Sequence, residues 1–258
     1  MNNFSYESTL SLRTEILSLA QENSSGEINA EIVLKETCFY PAGGGQLSDV
    51  GEIFGPGWTV QVTKVCRDND SSTIRHLGIF LPNQADVPAS SESKDIFAKG
   101  TEVQLEVNLK IRELHSRLHS AGHLLDIALL DKLGYGDILR VLKACHHPKM
   151  AAVEYEGLLP IITGNSETSR QNKSLLKDNL EKACNELIKR NLKIKVYYSG
   201  ENLHNCREKL RCWKLEEHQR EINCGGTHCA STGEIGSMRI RKIECKGKII
   251  RIAYDVDR

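Results

Sequence analysis

Up to about residue 108, apolar positions tend to alternate with polar ones, the period of a half-buried strand. The clearest run is residues 58–66, Trp-Thr-Val-Gln-Val-Thr-Lys-Val-Cys, and residues 30–39, 73–77 and 102–107 are further strand segments. Gly, Pro and Asp separate these runs, and many short strands so punctuated predict a small barrel. Residues 9–21 read as a helix, and the polar residues 90–95 as an exposed loop.

From about residue 109 the period lengthens. Leu118, Gly122, Leu125 and Leu129 fall on one helical face, predicting a helix over residues 110–133 with Gly134 just past its end. Residues 138–145 and 151–155 read as strands. Leu176, Leu180, Ala183 and Leu187 form the apolar face of a second helix, residues 172–190, with Lys and Glu opposite. Residues 193–198 alternate as a strand, residues 201–212 read as a short helix, and two strands flank Lys246-Gly247-Lys248. The expected class is α+β: a β-barrel-like domain over residues 1–108, then helices packed on a mostly antiparallel sheet over residues 109–258.

Composition narrows the setting. The 258 residues suffice for one large domain or two ordinary ones, with 26% charged and 40% hydrophobic residues as in soluble globular proteins. Lys plus Arg equals Asp plus Glu at 34 each, so any nucleic acid must be held by a local patch rather than by bulk charge. Residues 1–30 hold no apolar stretch of signal-peptide length and include Glu7, Glu15, Glu22 and Glu27, which argues against an organellar leader. No segment has the length of a membrane span. Nine cysteines without a dense regular framework fit a reducing cytoplasm, where they serve as thiols, core residues or metal ligands.

Two segments carry candidate chemistry. His119-Ser120-Ala121-Gly122-His123 lies within the first helix, where residues four apart stack on one face. Cys224-Gly225-Gly226-Thr227-His228 sets two donors around small residues that let a backbone wrap closely. Together His119, His123, Cys224 and His228 supply the donors of a tetrahedral zinc site. The spacing is not that of a zinc finger, and Ser120 stands where a metalloprotease helix carries its general-base Glu. His115, one turn earlier, reads as a supporting or surface residue ahead of the alternative of a third helical ligand, His146-His147 as a solvated turn before a proline, and Cys229 as a competitor for metal disfavoured because consecutive residues rarely both face one ion.

A third segment, residues 39–51, contains Gly43, Gly44 and Gly45 followed by Gln46 and Asp49. It reads either as a long hairpin turn or as a ligand-approaching loop, and it matches neither a Walker loop nor a dinucleotide fingerprint. A fourth, with Arg239, Arg241, Lys242, Lys246, Lys248 and Arg251, reads equally as a phosphate-binding stripe or as a solvated strand face.

The combination of His119-Ser-Ala-Gly-His123-Leu-Leu, Cys224-Gly-Gly-Thr-His228 with Thr232-Gly-Glu-Ile-Gly236, and the glycine-rich segment resembles the editing domain of alanyl-tRNA synthetase. With no aminoacylation half ahead of it, the chain resembles the freestanding AlaX editing proteins that keep the N-terminal barrel. The resemblance implies an α/β-sandwich editing domain and trans-editing hydrolysis of mischarged tRNA(Ala), chiefly Ser-tRNA(Ala), with Gly-tRNA(Ala) a second substrate. It implies Zn2+ on His119, His123, Cys224 and His228, and a substrate pocket using Gly43, Gly44, Gly45, Asp49 and Gly122. Gln46 and Thr227 are then the expected catalytic-site polar groups, and Arg239 to Arg251 the acceptor-stem contacts. Where synthetase editing domains often carry Thr, this chain has Gly122, which removes a hydroxyl from the pocket. The alternative is a catalytically inactive zinc-stabilised tRNA-binding module whose four protein ligands close the coordination sphere.

Overall fold

The computed structural model describes residues 3–4, 9–24, 27–69, 72–82, 98–164, 166–199 and 210–257. Contacts divide the chain into two compact units, Met1–Gly43 with Leu47–Arg112, and Gly44–Gln46 with Glu113–Arg258. The described residues are mostly β, with a closed barrel and two α-helices.

In the first unit, β1 (Asn3–Phe4) pairs in parallel with β4 (Glu36–Thr37). The barrel consists of β2 (Ser11–Ser24), β3 (Glu27–Leu34), β5 (Gly51–Gly55), β6 (Trp58–Arg67), β7 (Ile74–Pro82) and β8 (Glu102–Val107). They close in the order β2-β3-β7-β6-β5-β8 through antiparallel ladders. Alternation fills the interior with Ile32 and Leu34, Val60 and Val62, Val103 and Leu105, all buried. A register shift between Val62 and Lys64 adds one residue to β6, so Val65 returns to the interior.

A similar shift between Ile16 and Ser18 interrupts the alternation of β2. Of residues 9–21, expected as helix, all from Ser11 onward are therefore strand: the break sets apolar Ile16 and Leu17 side by side, and pairing with β3 and β8 overrides the local pattern. The strand expected over residues 30–39 ends at Leu34, bends, and resumes as β4. Residues 90–95 lie outside the described residues. His76 is wholly buried in this unit, donating from Nδ1 to Ile32 O at 3.1 Å and accepting at Nε2 from Thr37 Oγ1 at 2.8 Å.

The second unit contains most of α1 (Leu109–Asp126), continued by a π-helical turn over Ile127–Lys132. The helix expected to run to residue 133 thus keeps α geometry only to Asp126. The Leu133 N–H reaches back five residues to Ala128 O at 3.0 Å, and the wider turn belongs to a stretch, Ile127 to Leu130, buried without interruption. A four-stranded antiparallel sheet follows, ordered β14 (Ser237–Lys246), β15 (Ile249–Asp257), β10 (Ala152–Glu156), β9 (Arg140–Cys145). A second sheet pairs β11 (Ile194–Ser199), β12 (Leu210–Leu215) and β13 (Glu221–Asn223).

Helix α2 (Glu167–Lys189) starts at Ser166, whose hydroxyl accepts from the Ser169 N–H, and buries Leu176, Leu180, Ala183 and Leu187 as its periodicity predicts. It serves the edge strand β14: Asn185 exchanges two hydrogen bonds with the Met238 backbone, and Glu181 accepts from the Ile240 N–H at 2.8 Å. Of the helix expected over residues 201–212, residues 201–209 lie outside the described residues. Leu210 to Cys212 open strand β12, where Cys212 and Trp213 are buried. Among the described residues no helix is long and apolar enough to cross a membrane.

Candidate metal centre

Helix α1 sets His119 and His123 one turn apart on a buried face, and the loop after β13 brings Cys224 and His228 against them. One donor atom from each of the four lies within 4.8 Å of the others. Cys224 Sγ is 3.3 Å from His119 Nε2 and 3.2 Å from His228 Nε2. The loop is drawn tight by Arg211, whose Nη1 donates to Cys224 O at 2.8 Å and Gly226 O at 2.7 Å. Gly226 is there for space: a Cβ would stand 2.1 Å from His119 Cε1 and 2.9 Å from Gln46 Oε1.

Polar neighbours aim the rings. His119 Nδ1 donates to Gln46 Oε1 at 2.7 Å, which leaves its Nε2 lone pair facing the cluster. Gln46 is itself pinned, accepting from the Thr227 N–H at 3.1 Å and donating to Thr227 Oγ1 at 2.9 Å, with Ser116 Oγ 2.7 Å from the same hydroxyl. Ser120 Oγ lies 3.3 Å from His228 Nδ1 and accepts from the Cys229 N–H at 3.0 Å. His123 Nδ1 is 3.9 Å from Asp126 Oδ2. Ser120, in the position where a protease has its base, is thus a ring-orienting hydroxyl.

The electrostatics fit a cation. Burial, reinforced by the other basic groups around them, pushes His119 and His228 well below the ordinary imidazole range. Burial works against a thiolate at Cys224, yet His123, the Gly226 N–H and Arg211 outweigh it and bring the thiol below its usual value. Burial also opposes charge on His123, but Asp126 and Cys224 prevail and hold it protonated to about pH 9. His123 Nε2 is buried with no hydrogen-bond partner among the described residues, as a ligand atom would be. Three imidazoles and a thiolate make a donor set suited to zinc.

The structure redraws the surroundings. His146, expected in a solvated turn, is 2% exposed and stacks on His119 with ring centroids 4.2 Å apart. Its Nδ1 is 2.7 Å from Tyr254 Oη, and its N–H donates to Gly45 O at 2.7 Å. The lone clue in the sequence is Gly122, a gap between two ligands on a buried helix face that some other group must fill. His115 is buried and lies outside the four-donor cluster, as does buried Cys229. Arg211 lies in the segment 201–212 expected as helix, and Trp213, whose ring lies 5.0 Å from that of His123, just past it, so neither was marked as a neighbour of the site.

Of the glycine-rich segment, Gly44 and Gly45 take left-handed φ of 56° and 78°, and with Gln46 they belong to the second unit. Gly43 accepts from Tyr40 Oη at 2.9 Å in the first unit. Asp49, expected at the substrate, is instead buried and committed: it pairs with Arg112 and accepts from the Tyr40 N–H at 2.6 Å. Arg112 completes this clamp by donating to Cys38 O at 2.7 Å.

The basic strands are largely ion-paired. Arg239 and Arg241 face Asp255 at 3.3 and 3.2 Å, Lys242 faces Glu244 at 2.7 Å, and Arg251 faces Glu244 and Glu154 at 3.5 and 3.8 Å. Arg241 also donates to Tyr254 O and Ala151 O. Lys246 and Lys248, at the hairpin turn, are exposed and have no ion pair among the described residues.

Residues 1–92 match the family model for tRNA synthetases class II (A). The chain is 28% identical over 249 residues to an alanine–tRNA ligase of Carboxydothermus hydrogenoformans, covering 90% of this chain and 25% of that protein. It is 29% identical over 238 residues to one from Chlamydia pneumoniae, with 89% and 24% covered, and 26% identical over 237 residues to one from Halobacterium salinarum, with 87% and 22% covered. The N-terminal part of the chain is therefore similar to the class II tRNA synthetases. More particularly, the chain is similar to alanine–tRNA ligases, and it spans about a quarter of the length of the curated relatives it matches.

Proposed function

We propose that the chain is a deacylase of mischarged tRNA(Ala), cleaving the ester that joins serine, and secondarily glycine, to the tRNA. In this reading it acts as AlaX-type editing proteins do, on tRNA that has already been charged. The observation that carries it is the four-donor cluster of His119, His123, Cys224 and His228, tied through His119 to Gln46 of the glycine-rich segment. That cluster would hold zinc, which when bound supplies a Lewis acid for an ester carbonyl.

The chain's own residues do the positioning. Gln46 and Thr227 orient His119 through hydrogen bonds already described, so they are positioning residues rather than groups that touch the substrate. Ser120 and Asp126 orient His228 and His123. Gly44 and Gly45 add backbone without bulk beside the cluster, and Gly122 makes the space that the His146 ring fills. An aminoacyl ester is intrinsically reactive, so an oriented, partly dry site can suffice without a carboxylate base.

The four protein donors also favour a second reading, a closed zinc site in a tRNA-binding module. Incubation of the protein with Ser-, Gly- and Ala-tRNA(Ala) separates the two. Loss of serine well above the spontaneous rate, with Ala-tRNA(Ala) spared, is the expected result. Tight tRNA binding with serine released only at the spontaneous rate would refute the deacylase and leave the binding module.

A further inference from the structure

Most acceptor atoms around the cluster are already engaged. Gln46 Oε1 accepts twice and its amide nitrogen donates to Thr227, Ser116 and Thr227 bond each other, and Ser120 serves His228 and Cys229. His146 is different. Tyr254 Oη donates its one proton to Leu118 O at 2.9 Å, because a carbonyl can only accept. The 2.7 Å contact between Tyr254 Oη and His146 Nδ1 must then be donated by the imidazole. His146 is thereby locked as the Nδ1–H tautomer, and its Nε2 carries a lone pair with no partner among the described residues.

Gly122 makes this arrangement possible. A Cβ at that position would lie 2.3 Å from His146 Cε1 and 2.9 Å from Tyr254 Oη, so no larger residue coexists with the ring as placed. The ring stacks on His119, and its backbone is held by Gly45 O, so it is a fixed part of the wall beside the donor cluster.

We infer that His146 Nε2 is the hydrogen-bond acceptor that recognises the side-chain hydroxyl of the acyl group, making this site selective for a β-hydroxy amino acid. The inference rests on the deacylase reading and names its specificity residue. A seryl hydroxyl pairs with this acceptor, whereas glycine and alanine offer it no partner, a difference of about tenfold or more in binding. Because glycine, alanine and serine share the α-ammonium group, a contact to that group would not separate them.

Calorimetric binding of the 3′-amide analogues of seryl-, glycyl- and alanyl-adenosine to the full zinc-loaded chain tests this without turnover. The wild type should prefer the seryl analogue by about tenfold or more, and His146→Phe, which keeps the stacked ring, should lose that preference with glycyl binding and zinc content unchanged. Tyr254→Phe, which frees the tautomer, should reduce the preference several-fold. Imidazole nitrogen NMR shifts of the wild type give a further check that needs no variant: they should show His146 protonated at Nδ1 alone. No seryl preference in the wild type, equal loss for all three analogues in the variants, or a proton on Nε2 would each overturn the inference. A seryl preference in a protein that releases no serine from tRNA would sink the deacylase while leaving the hydroxyl acceptor in place.

Discussion

His76 shows what one buried ring contributes to this protein outside the metal centre. Both of its nitrogens are satisfied in the neutral form, and burial pushes its pKa down to about 4. In the unfolded chain it titrates near the ordinary value of about 6.5. Because the folded value is the lower one, the stability His76 supplies is complete above about pH 6.5, drains as the pH falls, and is gone near pH 4. The difference corresponds to about 3 kcal/mol, roughly two-thirds of it lost by pH 5. Urea unfolding at pH 7.5 and 5.0 should therefore show a steeper loss in the wild type than in His76→Gln. Equal losses would mean that the barrel admits a protonated ring. Asp49 belongs to the same scale: a carboxylate beside a glycine cluster suggests ligand binding, yet its acceptor capacity is taken up by Arg112 and the Tyr40 N–H. No spacing in the sequence couples positions 49 and 112, so that commitment shows only in three dimensions.

Between elements, the decisive fit is that of the Cys224–His228 loop against α1. The ring of His119 occupies the place a side chain at position 226 would need. Gly226→Ala is expected to displace His119 from Gln46 and lower the bound zinc from about one equivalent per chain to well below it, read by metal analysis of purified protein. Full metal retention would show that the loop yields and that the close approach is incidental. The four donors themselves were legible, because a helix turn and a glycine-spaced loop are local devices whose geometry follows from spacing. Helix α2 and strands β6, β8, β11, β14 and β15 were legible for the same reason, each carrying enough of its period to show, even though β6 and β14 each hold one bulge. Strand β2 was not, because its bulge erases the alternation, and neither was the π-helical turn after Asp126, which a 3.6-residue period cannot phase. His146 was read wrongly on local grounds: two histidines before a proline look solvated, and the gap that buries one of them lies on another element.

At the scale of the whole molecule, a formal charge of zero means that the proposed RNA binding would depend on local imbalance. The outer face of the four-stranded sheet is a lattice of alternating signs, in which Arg239, Arg241, Lys242 and Arg251 each stand against Asp255, Glu244 or Glu154. Lys143 joins it through Glu154 at 3.3 Å. Exposed pairs of this kind add little stability, and their fields largely cancel a few ångströms away. Lys246 and Lys248 differ in standing at a hairpin tip, exposed and without carboxylate partners among the described residues. If the basic hairpin meets a tRNA backbone, these two ammonium groups should account for most of its counterion release. Replacing both by Ala should weaken tRNA binding and lower the magnitude of the slope of log K against log salt by about one to two. Arg239→Gln, which removes one of the two arginines paired with Asp255, should change that slope by less. Filter binding across a salt series distinguishes the cases: an unchanged slope in the double lysine variant would place the phosphate contacts on another surface of the protein.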